Sequence, residues 1–310
     1  MIRIATRSSK LALTQAGMVA EMLGGAELVE VSSDGEAGDK SRFVRGVERA
    51  LLDGRAEVGV HSAKDLPGEM QEGLEIAAVP AREDPADVWI GAGASLDDAP
   101  EGARVGTASL RRRAQLLAAR PDLRVEELHG NVDTRLRKLA EGDLDAIVLA
   151  AAGLRRLGRE DEIGFTIPVE AMVPAAGQGA LALQVRSEDT DTIEAVAAVL
   201  DFDSARELTA ERAVVVLLQA TCASPIGVHA KVAGESLEIE AFVGLPDGSE
   251  WLRDRVEGEA ADPAAAGVLL AERLLTAGAR DLLDRAELGA DGPKTHVYRG
   301  KSAHRPPEGR

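Results

Sequence analysis

The chain has 310 residues, of which 45% are hydrophobic, and carries a formal net charge of −17 at pH 7. This length allows two or three domains with a substantial buried core. The acidic charge argues against a nucleic-acid partner, because phosphate binding needs a basic surface. The single cysteine, Cys222, excludes an internal disulfide framework and any multi-cysteine metal site.

No apolar run approaches the roughly 18 residues of a membrane helix, so we expect no membrane partner. The chain begins directly with a strand pattern, MIRIATRSSK, without a signal-peptide hydrophobic region, which indicates a cytoplasmic protein. We also expect a monomer. Only seven of the 36 basic residues are lysine. An acidic, lysine-poor exterior is typical of proteins that stay hydrated at high salt, but GC-rich coding bias also favours arginine, so both interpretations stay open.

The first part of the chain alternates strand and helix patterns, which predicts a parallel, doubly wound sheet. Strands are predicted at 2–6, 28–31, 57–60 and 74–79, with helices at 11–23 and 43–52 and a mobile loop at 32–41. The same rhythm restarts with strands at 88–91, 104–106, 124–128 and 145–149, separated by helices that open with TASLRRR and HGNVDTR. A strand at 180–186 is then predicted to return to the first unit.

Beyond Asp201 the pattern changes, and hairpin-linked strands with helices predict a small α+β domain. Its elements are a helix at 204–219, strands at 228–232, 237–243 and 251–256, and one closing helix at 263–288. The polar tail is expected to be disordered. The predicted fold is α/β, with domain 1 at 1–85 and 180–200, domain 2 at 86–179, domain 3 at 201–289 and the tail at 290–310.

Polar side chains follow one predicted strand after another. The stretch EVGVHSAKDLP at 57–67 places Ser62, Lys64 and Asp65 after a buried strand, where open α/β sheets hold ligands. Comparable positions after the other strands hold Arg7, Ser9, Thr107, Ser109, Arg111, Arg112, His129, Arg135, Arg155 and Arg156. Two doubly wound units facing each other would bring these loops to one cleft. Cations, hydroxyls and helix N-termini there predict a ligand with several separated carboxylates; the alternative is ordinary surface ion pairs.

Two residues are not explained by anion binding. A carboxylate among cations, Asp65, would repel an anionic ligand, but it could pair with a positive charge on the substrate and exchange protons with it. The competing interpretation makes Asp65 a cap of the turn before Pro67. A lone cysteine such as Cys222 is most often a small buried hydrophobe, although a loop thiolate could also tether a cofactor.

Taken together, these motifs resemble the porphobilinogen deaminase (hydroxymethylbilane synthase) family. The motifs that carry the resemblance are IATRSSKLALTQA at 4–16, FVRGVERALLDGRAEVGVHSAKDLP at 43–67, GTASLRRRAQL at 106–116, HGNVDTRLRKL at 129–139, DAIVLAAAGLRRLG at 145–158, PAAGQGALAL at 174–183, LTAERA at 208–213 and CASPIG at 222–227. They cover nearly everything before the tail.

The resemblance implies two periplasmic-binding-protein-like domains and a third, α+β domain with a cysteine loop. It implies a transferase that condenses four porphobilinogen molecules head to tail, with loss of ammonia, to give hydroxymethylbilane in tetrapyrrole biosynthesis. The implied cofactor is a dipyrromethane, attached through Cys222. Asp65 matches the catalytic carboxylate. The positions that match cofactor binding are Lys64, Ser62, Thr107, Ser109, Arg111 and Arg112, and those that match substrate binding are Arg7, Ser9, Gln15, His129, Arg135 and Arg156.

The chain departs from the family pattern most clearly at His129, where the family usually has Arg. This departure weakens one anion contact unless the imidazole is protonated. A rival interpretation is a non-catalytic two-lobed binding protein for a polycarboxylate, because fold alone does not separate the two functions. Such a protein would need neither Asp65 nor Cys222.

Overall fold

A computed structural model of the protein describes residues 1–32, 42–221 and 223–289. These residues form two five-stranded sheets and one three-stranded sheet. Most of the loop predicted to be mobile (33–41), Cys222 and the tail from 290 onward lie outside the described residues. Within the described ranges, no helix is both long and apolar enough to cross a membrane.

Strands and helices alternate over 3–62 and over 104–156, as the sequence predicts, whereas the strands at 74–78, 87–91 and 104–106 follow one another without a helix between them. The elements up to residue 91 are β1 (Arg3–Arg7), α1 (Lys10–Met22), β2 (Glu27–Val31), α2 (Arg42–Leu52), β3 (Val58–Ser62), a short 3-10 turn (Ala63–Asp65), β4 (Leu74–Ala78) and β5 (Asp87–Gly91). The elements that follow are β6 (Arg104–Gly106), α3 (Leu110–Ala119), β7 (Arg124–Glu126), α4 (Val132–Ala140), β8 (Ala146–Ala150), α5 (Ala151–Arg156), a second 3-10 turn (Glu160–Glu162), β9 (Phe165–Ile167), β10 (Leu181–Arg186) and α6 (Thr190–Ala197). Both β9 and α6 are absent from the sequence prediction.

The two five-stranded sheets share one topology, and each forms a lobe. The first lobe has the strand order β2-β1-β3-β10-β4 and the second has β7-β6-β8-β5-β9. In each sheet the fourth strand runs antiparallel to both neighbours, so the prediction of a parallel sheet is wrong for this strand. The predicted return of 180–186 to the first unit is confirmed, because Leu183 pairs with Val60. The chain therefore crosses between the lobes twice, at 79–86 and at 168–180, which confirms the two-lobed α/β fold.

The third unit follows α6 and contains α7 (Phe202–Leu217), β11 (Ile226–Ala233), β12 (Ser236–Gly244), β13 (Trp251–Glu259), α8 (Pro263–Thr276) and α9 (Ala279–Gly289). Its sheet is antiparallel, and α7 and α8 cover its apolar face around Leu237, Ile239 and Leu270. The prediction of a single closing helix is wrong. Gly278 has a φ of +102°, which breaks the chain into α8 and α9.

The apolar residues on the buried faces of the strands form the cores that position the loops at the cleft. Ile4, Val58, Val60 and Leu183 of the first sheet lie in one apolar cluster, and they are at most 6% exposed. In the second sheet, Trp89 packs against Phe165 with ring centroids 5.8 Å apart. These cores hold the parallel strands in register, so the loops after β1, β3, β6 and β8 open toward the cleft between the lobes.

Candidate active site

Two adjoining cavities of about 310 and 560 Å³ occupy the cleft. Residues of both lobes line both cavities, namely Arg7, Lys64, Asp65, Arg112, His129 and Arg135. The first cavity extends to the third unit, where Thr221 and Ser224 line it. The second cavity extends between α1 and the second lobe, past Ser9 and Leu157. The cleft is therefore one continuous space with two ends.

Three helices begin at the cleft, and a polar residue that lines a cavity caps each of them. Ser9 caps α1 by accepting a hydrogen bond from the Ala12 amide at 3.3 Å. Asn131 caps α4 in the same way, accepting from the Thr134 amide at 2.9 Å. Ser109 caps α3. Each capped helix brings a partial positive charge to the cleft, and a carboxylate is stabilised at such a position.

Asp65 ends the 3-10 turn that follows β3, and its side chain is partly buried. Among the described residues, nothing forms a hydrogen bond or ion pair with its carboxylate. A turn cap would accept a backbone N–H, so the structure does not support that alternative. Asp65 lines both cavities and is the one acidic residue among the described residues lining the first cavity.

Lys64 precedes this carboxylate and lines both cavities. Its Nζ donates to Gln178 Oε1 at 3.3 Å. Burial lowers the pKa of Lys64 to about 8, and the charge of Arg112 acts in the same direction, while Asp65 and Asp87 oppose it. An anionic ligand would offset this cost of burying the ammonium group.

The Arg111–Arg112 pair is held by a residue that sequence reasoning missed. Asp87, at the start of β5, is fully buried and lies 2.8 Å from Arg111 Nη1 and 2.7 Å from Arg112 Nη2. Burial alone would raise the pKa of the Asp87 carboxyl, but the two guanidinium groups lower it well below its ordinary value. Gln178 Nε2 also donates to Asp87 at 2.9 Å. One charge of the arginine pair is thus neutralised within the protein.

Arg135 is the clearest unsatisfied cation of the cleft. Its Nε is buried and has no hydrogen-bond partner among the described residues. Burial lowers the pKa of Arg135 to about 10, and the neighbouring charge of Arg112 adds to the effect. A buried donor without a partner costs about 1–3 kcal/mol, so this position favours an acceptor supplied by a ligand.

Four of the predicted site residues do not line either cavity: Gln15, Ser62, Thr107 and Arg156. Gln15 Nε2 donates to Ser62 Oγ at 3.0 Å, which fixes the end of β3 against α1. Thr107 Oγ1 accepts from the Ser109 amide at 3.2 Å. Arg156 Nη2 donates to the Gly179 carbonyl at 2.6 Å. These residues surround the cleft rather than face it.

His129 lies at the rim of both cavities, and its side chain is 70% exposed. Its Nε2 lies 2.8 Å from Glu127 Oε1, so the imidazole faces a carboxylate of the protein. The neighbouring candidate for a carboxylate contact, Arg155, pairs instead with Glu83 and Asp84, each at 2.9 Å.

The protein is therefore of the two-lobed α/β class, with cations from both lobes lining the cleft and residues of a third unit forming one wall. Two family models match the chain. One is described as porphobilinogen deaminase, dipyromethane cofactor binding domain, and matches residues 2–194; the other is the porphobilinogen deaminase C-terminal domain and matches residues 205–276. The chain belongs to the porphobilinogen deaminase family, whose members are transferases.

Curated relatives agree with this assignment. The porphobilinogen deaminase of Brevibacillus brevis is 44% identical over 299 residues, covering 91% of this chain and 96% of the relative. That of Syntrophus aciditrophicus is 43% identical over 304 residues, covering 93% and 99%. Among solved structures, the periplasmic VFT2 domain of Bordetella pertussis BvgS is 16% identical with a TM-score of 0.40, over 64% of this chain and 86% of that one. The two-lobed architecture rests on the sheet orders above, not on this distant likeness.

Proposed function

We propose that the protein condenses four porphobilinogen molecules head to tail, with loss of ammonia, to give hydroxymethylbilane for tetrapyrrole biosynthesis, including that of heme, sirohaem and cobalamin. The observation that carries this proposal is Asp65, a carboxylate without a hydrogen-bond or ion-pair partner among the described residues. It lies in a cavity whose other charged lining residues, within the described part of the chain, are cations. Porphobilinogen has two carboxylates and one aminomethyl group, so it needs both kinds of charge. A receptor for simple anions would have no use for Asp65.

The cations would bind the carboxylates of the pyrroles. Arg135 has a buried donor without a partner among the described residues, and guanidinium groups bind carboxylates in bidentate fashion. We assign substrate carboxylates to Arg7, Ser9 and Arg135, which line the second cavity. His129 at the rim is a weaker candidate, and Gln15 and Arg156 would support the site from behind.

Asp65 would act on the nitrogen atoms of the substrate. Its carboxylate can accept hydrogen bonds from the ammonium group and pyrrole N–H, and it can hold the positive charge that develops as ammonia leaves. It can then accept the ring proton that is released when two pyrroles have been joined. Lys64, its neighbour, would bind a carboxylate of the substrate, while Asp65 stabilises the positive charge that develops as ammonia leaves.

The residues of the first cavity fit a dipyrromethane cofactor, which carries several carboxylates. When bound, this cofactor supplies the terminal pyrrole to which the first substrate is joined. Lys64, Ser109, Arg111 and Arg112 would hold it, with Ser62 and Thr107 behind them. The tether would be Cys222, since Thr221 and Ser224, on either side of it in sequence, line this cavity.

Intact mass spectrometry of the purified protein tests the proposal, together with a porphobilinogen turnover assay. We expect the native protein to be heavier than its sequence by one dipyrromethane, and Cys222→Ser to lose both the mass and the activity. A fully active native protein without added mass would refute the tether. A protein that neither carries the mass nor turns over porphobilinogen would favour the solute-binding alternative.

We also propose the domain boundaries, the oligomeric state and the cellular location of the protein. We take 1–85 with 180–200, 86–179, and 201–289 as the three domains of a cytoplasmic monomer that binds neither nucleic acid nor membrane.

If the acidic exterior is an adaptation to salt, the melting temperature should rise from dilute buffer to molar salt, because repulsion among carboxylates is screened. A flat or falling melting temperature would indicate coding bias instead.

A further inference from the structure

Arg212 is a cleft residue that the sequence analysis did not single out. It lies on α7 of the third unit, and its Nη2 donates to the carbonyl oxygens of Pro67 at 3.0 Å and of Gly68 at 2.8 Å. These two carbonyls follow directly after the turn that holds Asp65. One guanidinium group therefore joins α7 to the Asp65 loop.

The loop also lies against apolar side chains of α7. A Cβ atom at Gly68 would lie 3.4 Å from Val216 Cγ2 and 3.7 Å from Val215 Cγ1. These are ordinary van der Waals distances, so the loop and the helix are in contact. The two hydrogen bonds of Arg212 set its position relative to the Asp65 loop.

Arg212 has no carboxylate partner in the described part of the chain. Arg206, on the same helix, pairs with Asp203 at 3.1 Å, whereas the partners of Arg212 are carbonyl oxygens. Burial lowers the pKa of Arg212, and no nearby carboxylate counteracts this effect. A partly buried guanidinium with only neutral acceptors keeps its full positive charge available to a ligand.

The Arg212 side chain lines the first cavity together with Lys64, Arg112, Thr221 and Ser224. We propose that Arg212 binds a carboxylate of the covalently attached pyrrole chain in this cavity, and that its anchorage on Pro67 and Gly68 sets this carboxylate relative to Asp65. The chemistry is that of a guanidinium fork, with one nitrogen on the protein and the others available to the ligand. This inference rests on the proposed function, which supplies the ligand.

A double-mutant cycle separates ligand binding from a purely structural bridge. The four proteins are the native chain, Arg212→Gln, Cys222→Ser and the double variant, each measured by thermal melting. If Arg212 binds the cofactor, Arg212→Gln should lower the melting temperature by roughly 4 °C more in the cofactor-carrying protein than in the Cys222→Ser background. Equal losses in the two backgrounds would overturn the proposal.

Kinetics give a second readout that does not depend on the melting temperature. We expect Arg212→Gln to lower kcat/KM about tenfold and Arg212→Lys, which keeps the charge but not the fork, to recover part of the loss. Arg206→Gln on the same helix is the matched control and should behave as the native protein. Native kcat/KM in Arg212→Gln would contradict the proposal. A native protein without cofactor mass would instead refute the proposed function, and with it this assignment.

Discussion

Two clusters of buried charge, one at the hinge and one in the cleft, are built on opposite principles. The hinge cluster consists of Arg82 in the first crossing between the lobes, with Glu207 and Glu211 on α7. Arg82 Nη1 lies 2.7 Å from Glu211 Oε1 and 3.3 Å from Glu207 Oε2. Burial would lower the pKa of Arg82, but these two carboxylates raise it. Every charge in this cluster has an opposite charge beside it.

Glu211 shows what such compensation achieves. Besides binding Arg82, its carboxylate accepts hydrogen bonds from the Gly177 amide at 2.6 Å and from the Ala230 amide at 2.8 Å. The first crossing, the second crossing and the third unit thus meet at one side chain that is fully buried. A satisfied buried charge of this kind joins parts of the protein and leaves nothing for a ligand.

The cleft cluster has the reverse balance. The described residues that line the first cavity include the cations Arg7, Lys64, Arg111, Arg112, Arg135 and Arg212, but only one acid, Asp65. Asp87, behind the wall, offsets one further charge. Arg135 and Arg212 have no carboxylate partner among the described residues. Burying such cations costs stability, and a polycarboxylate ligand returns that stability on binding. The contrast indicates that incomplete pairing, rather than the number of arginines, marks the functional region.

The hinge should show the largest effect on stability. Arg82→Met removes the guanidinium group that pairs with both buried carboxylates, Glu207 and Glu211. Lys231 stays 3.4 Å from Glu207 and His229 stays 3.6 Å from Glu211. Because no other cation bridges the two carboxylates among the described residues, we expect the free energy of unfolding to fall by about 3–5 kcal/mol. Urea denaturation measures this change. The matched cleft variant is Arg135→Met in the Cys222→Ser background. Removing this cation, which has no ion-pair partner among the described residues, should cost less than about 1 kcal/mol. Similar losses in the free energy of unfolding of the two variants would show that the hinge and cleft clusters do not differ in charge compensation.

Asp65 should show the largest effect on turnover. Asp65→Asn removes the charge that faces the substrate nitrogens, and we expect kcat to fall by roughly a hundredfold or more. The melting temperature should stay near that of the native protein, because this carboxylate has no hydrogen bond to lose within the described residues. The exposed Asp203→Asn serves as control and should keep native turnover. Near-native kcat in Asp65→Asn would leave the carboxylate without a catalytic role.

Lys64 should make the cofactor-free protein more stable at alkaline pH. Its pKa of about 8 lies below that of an unfolded lysine, about 10.4. Between these values the unfolded chain holds more protons than the native one, so the free energy of unfolding should rise with pH. Urea denaturation of Cys222→Ser from pH 7 to 10 should show this rise, and Lys64→Met should remove it.

The same pH series of urea denaturation on the cofactor-carrying protein tests whether bound carboxylates lie near Lys64. Bound carboxylates raise the pKa of Lys64, so its contribution to the rise should move to higher pH or disappear. An identical pH profile with and without the cofactor would place Lys64 outside the carboxylate-binding region.

His129 should show the smallest effect. The imidazole is exposed and faces Glu127, and exposed pairs contribute about 0–1 kcal/mol. We therefore expect His129→Arg to keep activity, to change KM by less than about fivefold at neutral pH, and to lower KM and flatten its pH dependence at alkaline pH. Michaelis constants from neutral to alkaline pH check this. Superimposable profiles would remove His129 from the site, and a tenfold change at neutral pH would place it in direct contact with the substrate.

Much of the fold follows from local patterns. Alternation of apolar runs with Gly, Ser and Asp located most strands of the two lobes, and polar residues after successive strands located the cleft. The errors arose where local signals are weak. Phe165–Ile167 is only three residues long, and the apolar pattern continues across Gly278, where the backbone turns to a positive φ.

The sequence by itself determined the family, the two-lobed architecture and most of the residues that surround the cleft, because strand periodicity and strand-end polarity are local properties. Only the tertiary structure decided which cations are neutralised. Asp87 binds Arg111, which is 24 residues away in sequence, and Arg212 binds Pro67, which is 145 residues away. Electrostatic compensation depends on distances of a few ångströms between such remote residues, and only the packed fold sets those distances.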